Sequence, residues 1–356
     1  MLTDLRETDM TKKLYLKPFI AAKIIGSNKV SVGLTGRFKI LIHGQPELII
    51  KFLNLLRGGV STNKEHRNIE LSGLTENESE REFLTLAFDR LQCQKMLCDV
   101  AVLKSQQNSR VISFYSLLSE SPEELLKILR SKKVAIIGCG GLGTSIIPCL
   151  INSGVQSLLI VDHDKVEQSN ITRSPVFSIS DVGRFKVDVI KKWICNKIEN
   201  SNISVSKKKI TTEFWDSNDL DGVDFIVCTA DDEDGFFKSR MDRYIYQRGI
   251  PYLYSGYWEG LAMFGPILKK GDTPCYFCST QQDIATTDTN FDFDDLVTPS
   301  FLAVNSILAG SIALEIVKYF SSFDRTYYSQ ISVYDLHGGR FEFGSVGDTN
   351  HCIICQ

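Results

Sequence analysis

The sequence lacks a large excess of charge of either sign. Its 40 Lys and Arg residues nearly balance its 43 Asp and Glu residues, which leaves a formal charge of −3. A strong basic excess is typical of proteins that bind nucleic acid through its phosphates, so that class of partner is disfavoured. No apolar run predicts a membrane span, and Met1 opens onto a polar stretch rather than a signal peptide. We therefore expect a soluble, cytoplasmic protein that binds neither nucleic acid nor membrane.

Disulfide bonds are not expected either, although the chain has ten cysteines. In a cytoplasmic protein, cysteines usually serve as metal ligands or buried thiols. Four of them form two C-x-x-C pairs, Cys275 with Cys278 and Cys352 with Cys355. Four thiolates hold Zn²⁺ tetrahedrally and leave no open position, so we predict a structural zinc site. The alternative is a redox pair, which is disfavoured because neither pair opens a helix after a strand.

The first hundred residues contain short predicted strands followed by helices. Strands are predicted at Leu14–Ile24, Lys29–Leu34 and Arg37–Ile42, with glycine-containing turns between them. Helices are predicted at Glu47–Leu56 and Ser79–Met96. Three strands followed by helices at this size predict a small winged-helix-like α+β domain over residues 1–105.

From about residue 131 the pattern changes to alternating strands and helices. The predicted strands are Lys133–Ile137, Ser157–Val161, Ile203–Lys207, Val223–Thr229 and Pro251–Tyr254, followed later by an antiparallel pair, Ile331–Tyr334 with Arg340–Phe343. The predicted helices are Gly143–Ile151, Asp181–Glu199, Phe237–Arg248 and Leu302–Tyr319. Such alternation is typical of an α/β domain with a Rossmann-like, mostly parallel sheet. We expect this domain over residues 106–356, with a long acidic loop at Asp283–Val297.

A glycine-rich turn joins the first strand of this domain to its first helix. Its glycines are Gly138, Gly140, Gly141 and Gly143. Glycines in this context let backbone N–H groups approach phosphate oxygens at a helix N-terminus. Asp162 ends the next strand, where a carboxylate can accept hydrogen bonds from a ribose. By itself this motif is compatible with NAD, with ATP, or with a tight turn that binds nothing.

Three polar residues further along the chain favour ATP over NAD. We expect Asn170, Arg173 and Lys186 to face the glycine turn. Two cations beside one phosphate site suit a triphosphate, whose charge must be offset before attack at the α-phosphate. The pyrophosphate bridge of NAD carries less negative charge and needs fewer cations to offset it. The alternative, that Arg173 and Lys186 are ordinary surface cations, suits each residue singly but not the set.

At this point the residues from about Ser131 to the C-terminus resemble a family, the ThiF/MoeB/E1-like adenylating enzymes. The glycine turn and the four polar residues after it have the family's spacing, and the two C-x-x-C pairs match its zinc site. The resemblance implies that ATP, with Mg²⁺, activates a carboxylate as an acyl-adenylate. Residues 228–231, with the sequence CTAD, resemble the strand-end motif whose aspartate handles Mg²⁺. That role falls on Asp231.

The resemblance also implies a homodimer, because family members donate an arginine to the ATP site of the partner subunit. Arg110 lies at the matching distance before the glycine turn. The family usually has a second arginine three residues earlier, and this sequence has Gln107 there. The implied catalytic set is therefore Arg110 together with Arg173, Lys186 and Asp231. The alternative for Arg110 is a surface residue on a linker.

One cysteine of the family pattern is missing. Small relatives that form a thioester carry a nucleophilic cysteine after the first zinc pair, but this chain has none between Cys278 and Cys352. We interpret Cys139 and Cys228 as core thiols. The activated carboxyl is then attacked by a group of the substrate itself. Residues 257–259, Tyr-Trp-Glu, are candidates for the substrate pocket or for packing.

The front domain resembles that of family members which modify ribosomally made peptides. There it holds the leader of a precursor peptide as an added strand. We favour activation of a glutamate side chain that is then cross-linked, as in the biosynthesis of pantocin-like antibiotics. The alternatives are microcin C-type adenylation of a peptide C-terminus, adenylation of a sulfur-carrier protein ending in Gly-Gly, an NAD oxidoreductase, and a non-catalytic peptide-binding protein. A dimerisation or stabilising module is the alternative for the front domain.

Overall fold

The computed structural model of the chain describes residues 12–62, 71, 73–102, 107–211, 214, 218–230, 237–258, 260–276, 278, 299–321 and 330–345. The chain divides into two compact units, residues 1–126 and residues 127–356. The functional division predicted after residue 105 stays a prediction.

The described part of the first unit consists of short strands and three helices. In chain order these elements are β1 (Lys12–Leu16), β2 (Ala22–Ile24), β3 (Lys29–Val32), β4 (Ile40–His43), α1 (Pro46–Gly58), β5 (Val60–Thr62), α2 (Glu78–Cys93), β6 (Leu97–Cys98) and α3 (Ser109–Tyr115). The strands form two antiparallel three-stranded sheets in the orders β5-β1-β6 and β2-β3-β4. The prediction of a small unit of strands and helices at the N-terminus is confirmed.

The strand predicted at Leu14–Ile24 is in fact two strands that belong to different sheets. Pro18 lies between them, and its ring nitrogen has no hydrogen to donate to a ladder. The chain turns there, since the Ile20 N–H donates to the Lys17 carbonyl at 3.0 Å. The strand predicted at Arg37–Ile42 likewise begins only at Ile40, because residues Gly36–Phe38 form a 3-10 helix.

The core of the first unit is built by α1 and α2 against the strands. Phe52 and Leu56 on α1, and Leu84, Phe88 and Leu91 on α2, are completely buried. These positions recur at the three- and four-residue spacing that places side chains on one face of a helix. The apolar periodicity from which both helices were predicted is therefore the face that they bury.

The second unit contains the alternating strands and helices. In chain order its elements are α4 (Pro122–Ser131, which begins in the first unit), β7 (Lys133–Ile137), α5 (Gly141–Asn152), β8 (Ser157–Val161), α6 (Gln168–Ile171), α7 (Lys186–Lys197), β9 (Asn202–Ser206), β10 (Phe225–Cys228), α8 (Phe237–Gln247), β11 (Tyr252–Trp258), β12 (Leu261–Phe264), α9 (Leu302–Phe320), β13 (Gln330–Asp335) and β14 (Arg340–Ser345).

One eight-stranded sheet organises this unit, in the order β14-β13-β12-β11-β10-β7-β8-β9. The five strands from β9 to β11 are paired in parallel, and the remaining strands are antiparallel. The Rossmann-like, mostly parallel α/β sheet is thus confirmed, and so is the antiparallel pair near the C-terminus. Strand β12 was not predicted as a separate element.

Helix α7 is shorter than its predicted range, Asp181–Glu199, and starts at Lys186. The reason lies in the hydrogen bonds of the residues before it. The Val166 N–H donates to the Arg184 carbonyl at 2.8 Å, and the Gly183 N–H donates to the Val166 carbonyl at 2.9 Å. A backbone already paired with another segment cannot enter the helical ladder. This pairing fixes the first residue of α7, and with it the position of Lys186.

Helix α9 corrects one expectation, because its 19 residues are long and apolar enough to cross a membrane by length and composition. Core helices of globular proteins pass the same test. Seven of its residues are buried inside the second unit: Asn305, Leu308, Ala309, Ile312, Ala313, Ile316 and Val317. These residues form the face through which the helix packs inside the second unit.

Candidate functional site

The glycine turn lies where three neighbouring strands end at the same edge of the sheet. Ile137 on β7 pairs with Val161 on β8 and with Cys228 on β10. Residues 138, 162 and 229 therefore emerge side by side. The carboxyl edge of a parallel sheet, at the point where neighbouring connections diverge, is where such folds form ligand sites.

Two glycines of the turn allow backbone contacts that a side chain would prevent. Gly138 has a positive φ of 88°, and a Cβ at this position would lie 2.5 Å from the Ala230 nitrogen. A Cβ at Gly143 would lie 2.1 Å from the Gly138 carbonyl oxygen. The Thr229 hydroxyl donates to that carbonyl oxygen at 2.8 Å. The turn is thus compact and tied to β10, and α5 starts directly behind it at Gly141.

Asp162 is buried and joins the glycine turn to the segment after β8. Its Oδ2 accepts a hydrogen bond from the Cys139 N–H at 2.6 Å, and its Oδ1 accepts one from the Asp164 N–H at 2.8 Å. Each carboxylate oxygen has a second lone pair, so the group can still accept a hydrogen bond from a ligand. The ribose contact predicted for Asp162 stays a prediction.

Lys186 is the first residue of α7 and is held in an ion pair with Asp164. Its Nζ lies 2.8 Å from Asp164 Oδ2, and its backbone N–H donates to the Asp164 carbonyl at 3.0 Å. The lysine side chain is only 9% exposed, whereas that of Asp164 is half exposed. Burial by itself would raise the pKa of Asp164, but the hydrogen bond and the positive charge of Lys186 lower it below its usual value. The charge of Lys186 is therefore fixed at the edge of the sheet that carries the glycine turn.

Asn170 lies in the short helix α6, and Arg173 comes shortly after the end of this helix. Asn170 is buried, and its Oδ1 accepts a hydrogen bond from the Glu167 N–H at 3.0 Å, which caps the helix. The Nε of Arg173 is buried and has no hydrogen-bond partner among the described residues. A buried guanidinium nitrogen without an acceptor is costly unless an anion completes it. Arg173 therefore differs from Lys186, whose charge is already paired.

Asn305 on α9 was missed by the sequence reasoning, although it is completely buried beside the glycine turn. Its Nδ2 donates to the Arg173 carbonyl at 3.1 Å and to the Ser300 Oγ at 3.3 Å. Its Oδ1 accepts a hydrogen bond from the Tyr257 hydroxyl. The only sequence signal was an asparagine in an otherwise apolar helix, and such a residue is usually hydrogen-bonded inside a core.

Tyr257 is the one member of the predicted pocket residues 257–259 whose side chain is described. Burial raises the pKa of its hydroxyl to about 12, so the group is a neutral hydrogen-bond donor across the physiological range. The side chain of Trp258 and all of Glu259 lie outside the described residues.

The thiols of Cys139 and Cys228 are buried, in agreement with their interpretation as core residues. Burial, followed by the negative charge of Asp162, raises the pKa of the Cys139 thiol well above its usual value. A thiol held in its protonated form is a poor nucleophile. Cys139 is therefore not suited to forming a covalent intermediate.

A cluster of two acids and a histidine beside the turn does not fit a cation site. The ligand atoms of Asp162, His163 and Asp164 lie within 4.8 Å of one another. Asp162 already accepts two backbone hydrogen bonds, and Asp164 is paired with the Lys186 ammonium at 2.8 Å. A metal ion bound here would have to displace that ammonium, so we assign none.

Several predicted site residues lie outside the described residues. These are Asp231, the predicted zinc ligands Cys352 and Cys355, and the acidic loop 283–297. The other two zinc candidates are described: Cys275 is buried and Cys278 is partly buried. Two shielded thiols three residues apart fit half of a four-thiolate zinc site. Arg110 is exposed on α3 in the first unit.

A comparison with protein families identifies a match to the ThiF family over residues 115–352. This match covers the glycine turn and the polar residues after it, so the resemblance inferred from the motifs is confirmed.

Relatives with similar sequences include two that cover less than half of the chain. The NEDD8-activating enzyme E1 catalytic subunit of Schizosaccharomyces pombe is 30% identical over 165 residues, which are 45% of this chain and 36% of that protein. The tRNA threonylcarbamoyladenosine dehydratase of Bacillus subtilis is 29% identical over 133 residues, which are 37% of this chain and 52% of that protein. The chain thus matches about a third to a half of the length of these relatives.

Solved structures with the same fold cover nearly the whole chain. The structure of Escherichia coli MccB with MccA-N7isoASN aligns with a TM-score of 0.78 and 22% identity, and the alignment covers 96% of this chain and 99% of that one. The structure of PaaA aligns with a TM-score of 0.68 and 21% identity over 92% and 99% of the two chains. At these identities the likeness concerns the fold, including the small N-terminal unit.

Proposed function

Because the chain belongs to the ThiF family, we propose that it is an ATP-dependent enzyme that adenylates a carboxylate of a ribosomally made peptide. The observation that carries the proposal is the gathering of a buried carboxylate, a fixed lysine and an arginine with an unsatisfied nitrogen around one glycine turn. Asp162 directly follows strand β8, Arg173 lies just after α6, and Lys186 is the first residue of α7. One Escherichia coli relative of the same fold, MccB, has been solved with ATP.

In the proposed reaction, an oxygen of the peptide carboxylate attacks the α-phosphorus of ATP. The bond between that phosphorus and the bridging oxygen to the β-phosphate breaks, and pyrophosphate leaves with the bonding electrons. The products are an acyl-adenylate and pyrophosphate. The protein contributes by positioning both reactants and by offsetting the charge that develops on the phosphates.

Each residue of the site has a role that suits its surroundings. The backbone N–H groups of residues 138–143 would hold phosphate oxygens at the start of α5. The Arg173 guanidinium would gain the acceptor that its Nε lacks in the described structure. Lys186 would supply a second positive charge and Asp162 a ribose contact. Asn170 would contribute from its buried position near the end of α6.

Mg²⁺ would supply further charge neutralisation at the phosphates. The sequence motif assigns its binding to Asp231. The assignment can be checked with Asp231→Asn, which should weaken the dependence of pyrophosphate release on Mg²⁺ concentration. An unchanged magnesium titration in that variant would remove Asp231 from the site.

The acyl-adenylate is proposed to be captured by a group of the peptide rather than by the protein. Support comes from the two thiols nearest the turn, Cys139 and Cys228, which are buried. The raised pKa of the Cys139 thiol keeps it protonated. A thioester on Cys139 would require this buried thiol to ionise beside the negative charge of Asp162.

The first unit is proposed to bind the leader part of the peptide as an added strand. Among the described residues, β2 is an outer strand of the sheet β2-β3-β4. Lys23 pairs with Ser31 in this sheet, and the Ile25 N–H donates to the Lys29 carbonyl. Alternation in antiparallel pairing then turns the peptide groups of Ala22 and Ile24 away from β3. Such an edge, with the half-exposed side chain of Ile24, can accept another strand.

The finer proposal is that the activated group is a glutamate side chain that is later cross-linked, as in pantocin-like antibiotic biosynthesis. The peptide C-terminus is a second candidate, and one observation favours it: the fold aligns better with MccB than with PaaA. Two peptide variants separate these candidates. Glu→Gln replacement should stop the reaction if the side chain is activated, and amidation of the C-terminus should stop it if the terminus is.

The two cysteine pairs are proposed to hold one structural zinc ion, with Cys275 and Cys278 supplying two of the four thiolates. Zinc content measured by mass spectrometry of metals should be one ion per chain. Cys275→Ser should lower that content and the midpoint of thermal unfolding. Cys195→Ser, which changes an exposed cysteine on α7, is the matched control. Full stability without bound metal would contradict the proposal.

A homodimer with composite ATP sites is proposed from the position of Arg110. Mixing an Arg110→Ala protein with a Lys186→Ala protein tests it, because a mixed dimer would contain one site with both residues intact. Activity should return on mixing if Arg110 is donated to the partner. The donation of Arg110 to the partner would be contradicted if the two variants form mixed dimers and these dimers stay inactive.

The experiment that tests the central proposal uses ATP and a short peptide encoded beside the gene. Mass spectrometry should detect AMP and pyrophosphate only when this peptide is present. A protein ending in Gly-Gly, offered in place of the peptide, should give no exchange. Binding of a nicotinamide dinucleotide without pyrophosphate formation would instead identify an oxidoreductase and would end the proposal.

A further inference from the structure

The buried amide of Asn305 connects three parts of the candidate site. It lies in the first turns of α9, and it contacts the backbone of Arg173 and the side chains of Ser300 and Tyr257. The glycine turn packs against the same amide, since a Cβ at Gly141 would lie 2.6 Å from Asn305 Nδ2 and 2.9 Å from the Arg173 carbonyl oxygen. A single side chain therefore meets the start of α5, the end of α6 and strand β11.

The orientation of this amide follows from its partners. The Arg173 carbonyl oxygen can only accept a hydrogen bond, so the NH₂ group of Asn305 must face it. The oxygen then faces Tyr257, which must donate. Burial raises the pKa of the Tyr257 hydroxyl to about 12, so this donor keeps its proton. The two ends of the amide are thus fixed independently of pH in the neutral range.

The backbone of Arg173 is held by two hydrogen bonds, one within the α6 segment and one from Asn305. The residue follows α6, which has only four residues, and its backbone N–H donates to the Asn170 carbonyl oxygen at 3.3 Å. Such a short helix does little to fix the residue after it. The Asn305 hydrogen bond to the Arg173 carbonyl connects this residue to the long helix α9, which packs inside the second unit through seven buried residues.

We propose that Asn305 is a positioning residue that fixes the backbone of Arg173 against the glycine turn and so directs its guanidinium toward the nucleotide phosphates. This inference rests on the proposed function, because it takes Arg173 to bind ATP. It adds Asn305 to the proposed site. This residue lies on α9, outside the glycine motif and apart from the cations around it. The amide holds Arg173 and Tyr257 together, so nucleotide affinity becomes sensitive to the packing of β11.

The test is a double-mutant cycle on nucleotide affinity, measured by calorimetry with a non-hydrolysable ATP analogue. Asn305→Asp keeps the size and the acceptor of the side chain but removes the donor to Arg173. Losing this hydrogen bond should weaken binding about tenfold. In an Arg173→Lys background the same change should weaken binding by less than about twofold, because the residue that Asn305 positions no longer carries its guanidinium.

Two further variants protect the test against a loss of folding. Asn305→Ala removes the amide without introducing a buried charge and should show the same dependence on Arg173. Ser306→Ala is the matched control, because it removes a hydrogen bond from the exposed neighbouring position of the same helix. It should leave affinity unchanged within about twofold. Circular dichroism at the assay temperature establishes that each variant is folded.

The outcomes separate this inference from the proposed function. An equal loss of affinity in both backgrounds, or no loss from either Asn305 variant, would overturn the positioning role while ATP binding by the wild-type chain still stands. A wild-type chain that fails to bind the analogue would overturn the proposed function and the inference with it.

Discussion

The two units of this chain use β-structure in opposite ways. The first unit has two separate antiparallel sheets of short strands, and several of its large apolar side chains are exposed, among them Phe19, Ile24 and Leu34. The second unit has one eight-stranded sheet whose parallel strands β7, β8 and β10 are almost entirely buried. Small antiparallel sheets leave edges on which another strand can pair. A parallel sheet instead brings the loops after its strands to one edge, where they can form a pocket.

If the cations of the second unit offset the charge of ATP, the largest effect should come from Lys186→Ala. Removing a charge from a preorganised phosphate site should reduce pyrophosphate formation by about 10²–10³-fold. Peptide binding, measured by fluorescence anisotropy, should be unchanged because it is assigned to the first unit. Lys191→Ala, an exposed lysine on the same helix, is the control and should keep full activity. Normal turnover by Lys186→Ala would contradict the site.

The next effect should come from the glycine turn. In Gly143→Ala the added carbon would lie 2.1 Å from the Gly138 carbonyl oxygen, so the turn must move. Overpacking of this kind typically costs about 1–3 kcal/mol. We expect ATP affinity and the midpoint of thermal unfolding to fall together. Gly310→Ala on α9, where no atom lies within 4 Å of the new carbon, should instead be neutral or slightly stabilising. Unchanged ATP affinity in Gly143→Ala would contradict the phosphate role.

A smaller effect, confined to the first unit, should come from Ile24→Pro. Proline removes the N–H that an added strand would use. Because this N–H faces away from β3, the pairing of β2 with β3 should be preserved. Peptide affinity should therefore fall about tenfold, the scale of one or two lost hydrogen bonds. ATP affinity should not change. Leu86→Asp, an exposed position on α2, is the control for surface changes in this unit. Equal losses from both variants would show that β2 is not the docking edge.

The smallest effect concerns the pH range over which the Tyr257 hydroxyl keeps its proton and donates to Asn305. The raised pKa of Tyr257, about 12, means that folding favours its protonated form. Its contribution to stability is then complete below the ordinary tyrosine pKa of about 10 and is lost as the pH rises through about 12. Tyrosinate absorbs near 295 nm, so the wild type minus Tyr257→Phe difference reports ionisation of Tyr257. This difference should stay at zero below about pH 10. A transition near pH 10 would place this hydroxyl in water.

Much of the fold and part of the site followed from local sequence patterns. Helices α1 and α2 were predicted from apolar residues at helical spacing, and Phe52, Leu56, Leu84 and Phe88 lie on the faces that they bury. Helix α3 was not predicted. The parallel sheet was predicted from alternating apolar strands and helices. The glycine turn was predicted because its residues stand between a strand and a helix. In each case the signal lies within one or two elements.

The errors have two physical causes: a local proline that interrupts a strand, and contacts between segments that are separate in the chain. Pro18 divides a predicted strand, and the halves join different sheets. Helix α7 begins at Lys186 because residues 183–184 pair with Val166. The ion pair of Lys186 with Asp164 also depends on that pairing. None of these contacts is recorded in the hydrophobic periodicity of a single segment.

By itself, the sequence determined the parallel strands and helices around the glycine turn, helices α1 and α2, the turn itself and the cations near it, because these follow from backbone propensity and from the chemistry of neighbouring residues. Only the tertiary structure decided that Lys186 is already paired, that Arg173 has a buried nitrogen without an acceptor, and that Asn305 ties Arg173 to Tyr257. Asn305 is 132 residues away from Arg173 in the chain. A hydrogen bond across that distance exists only once the sheet and α9 have packed, so no local pattern encodes it.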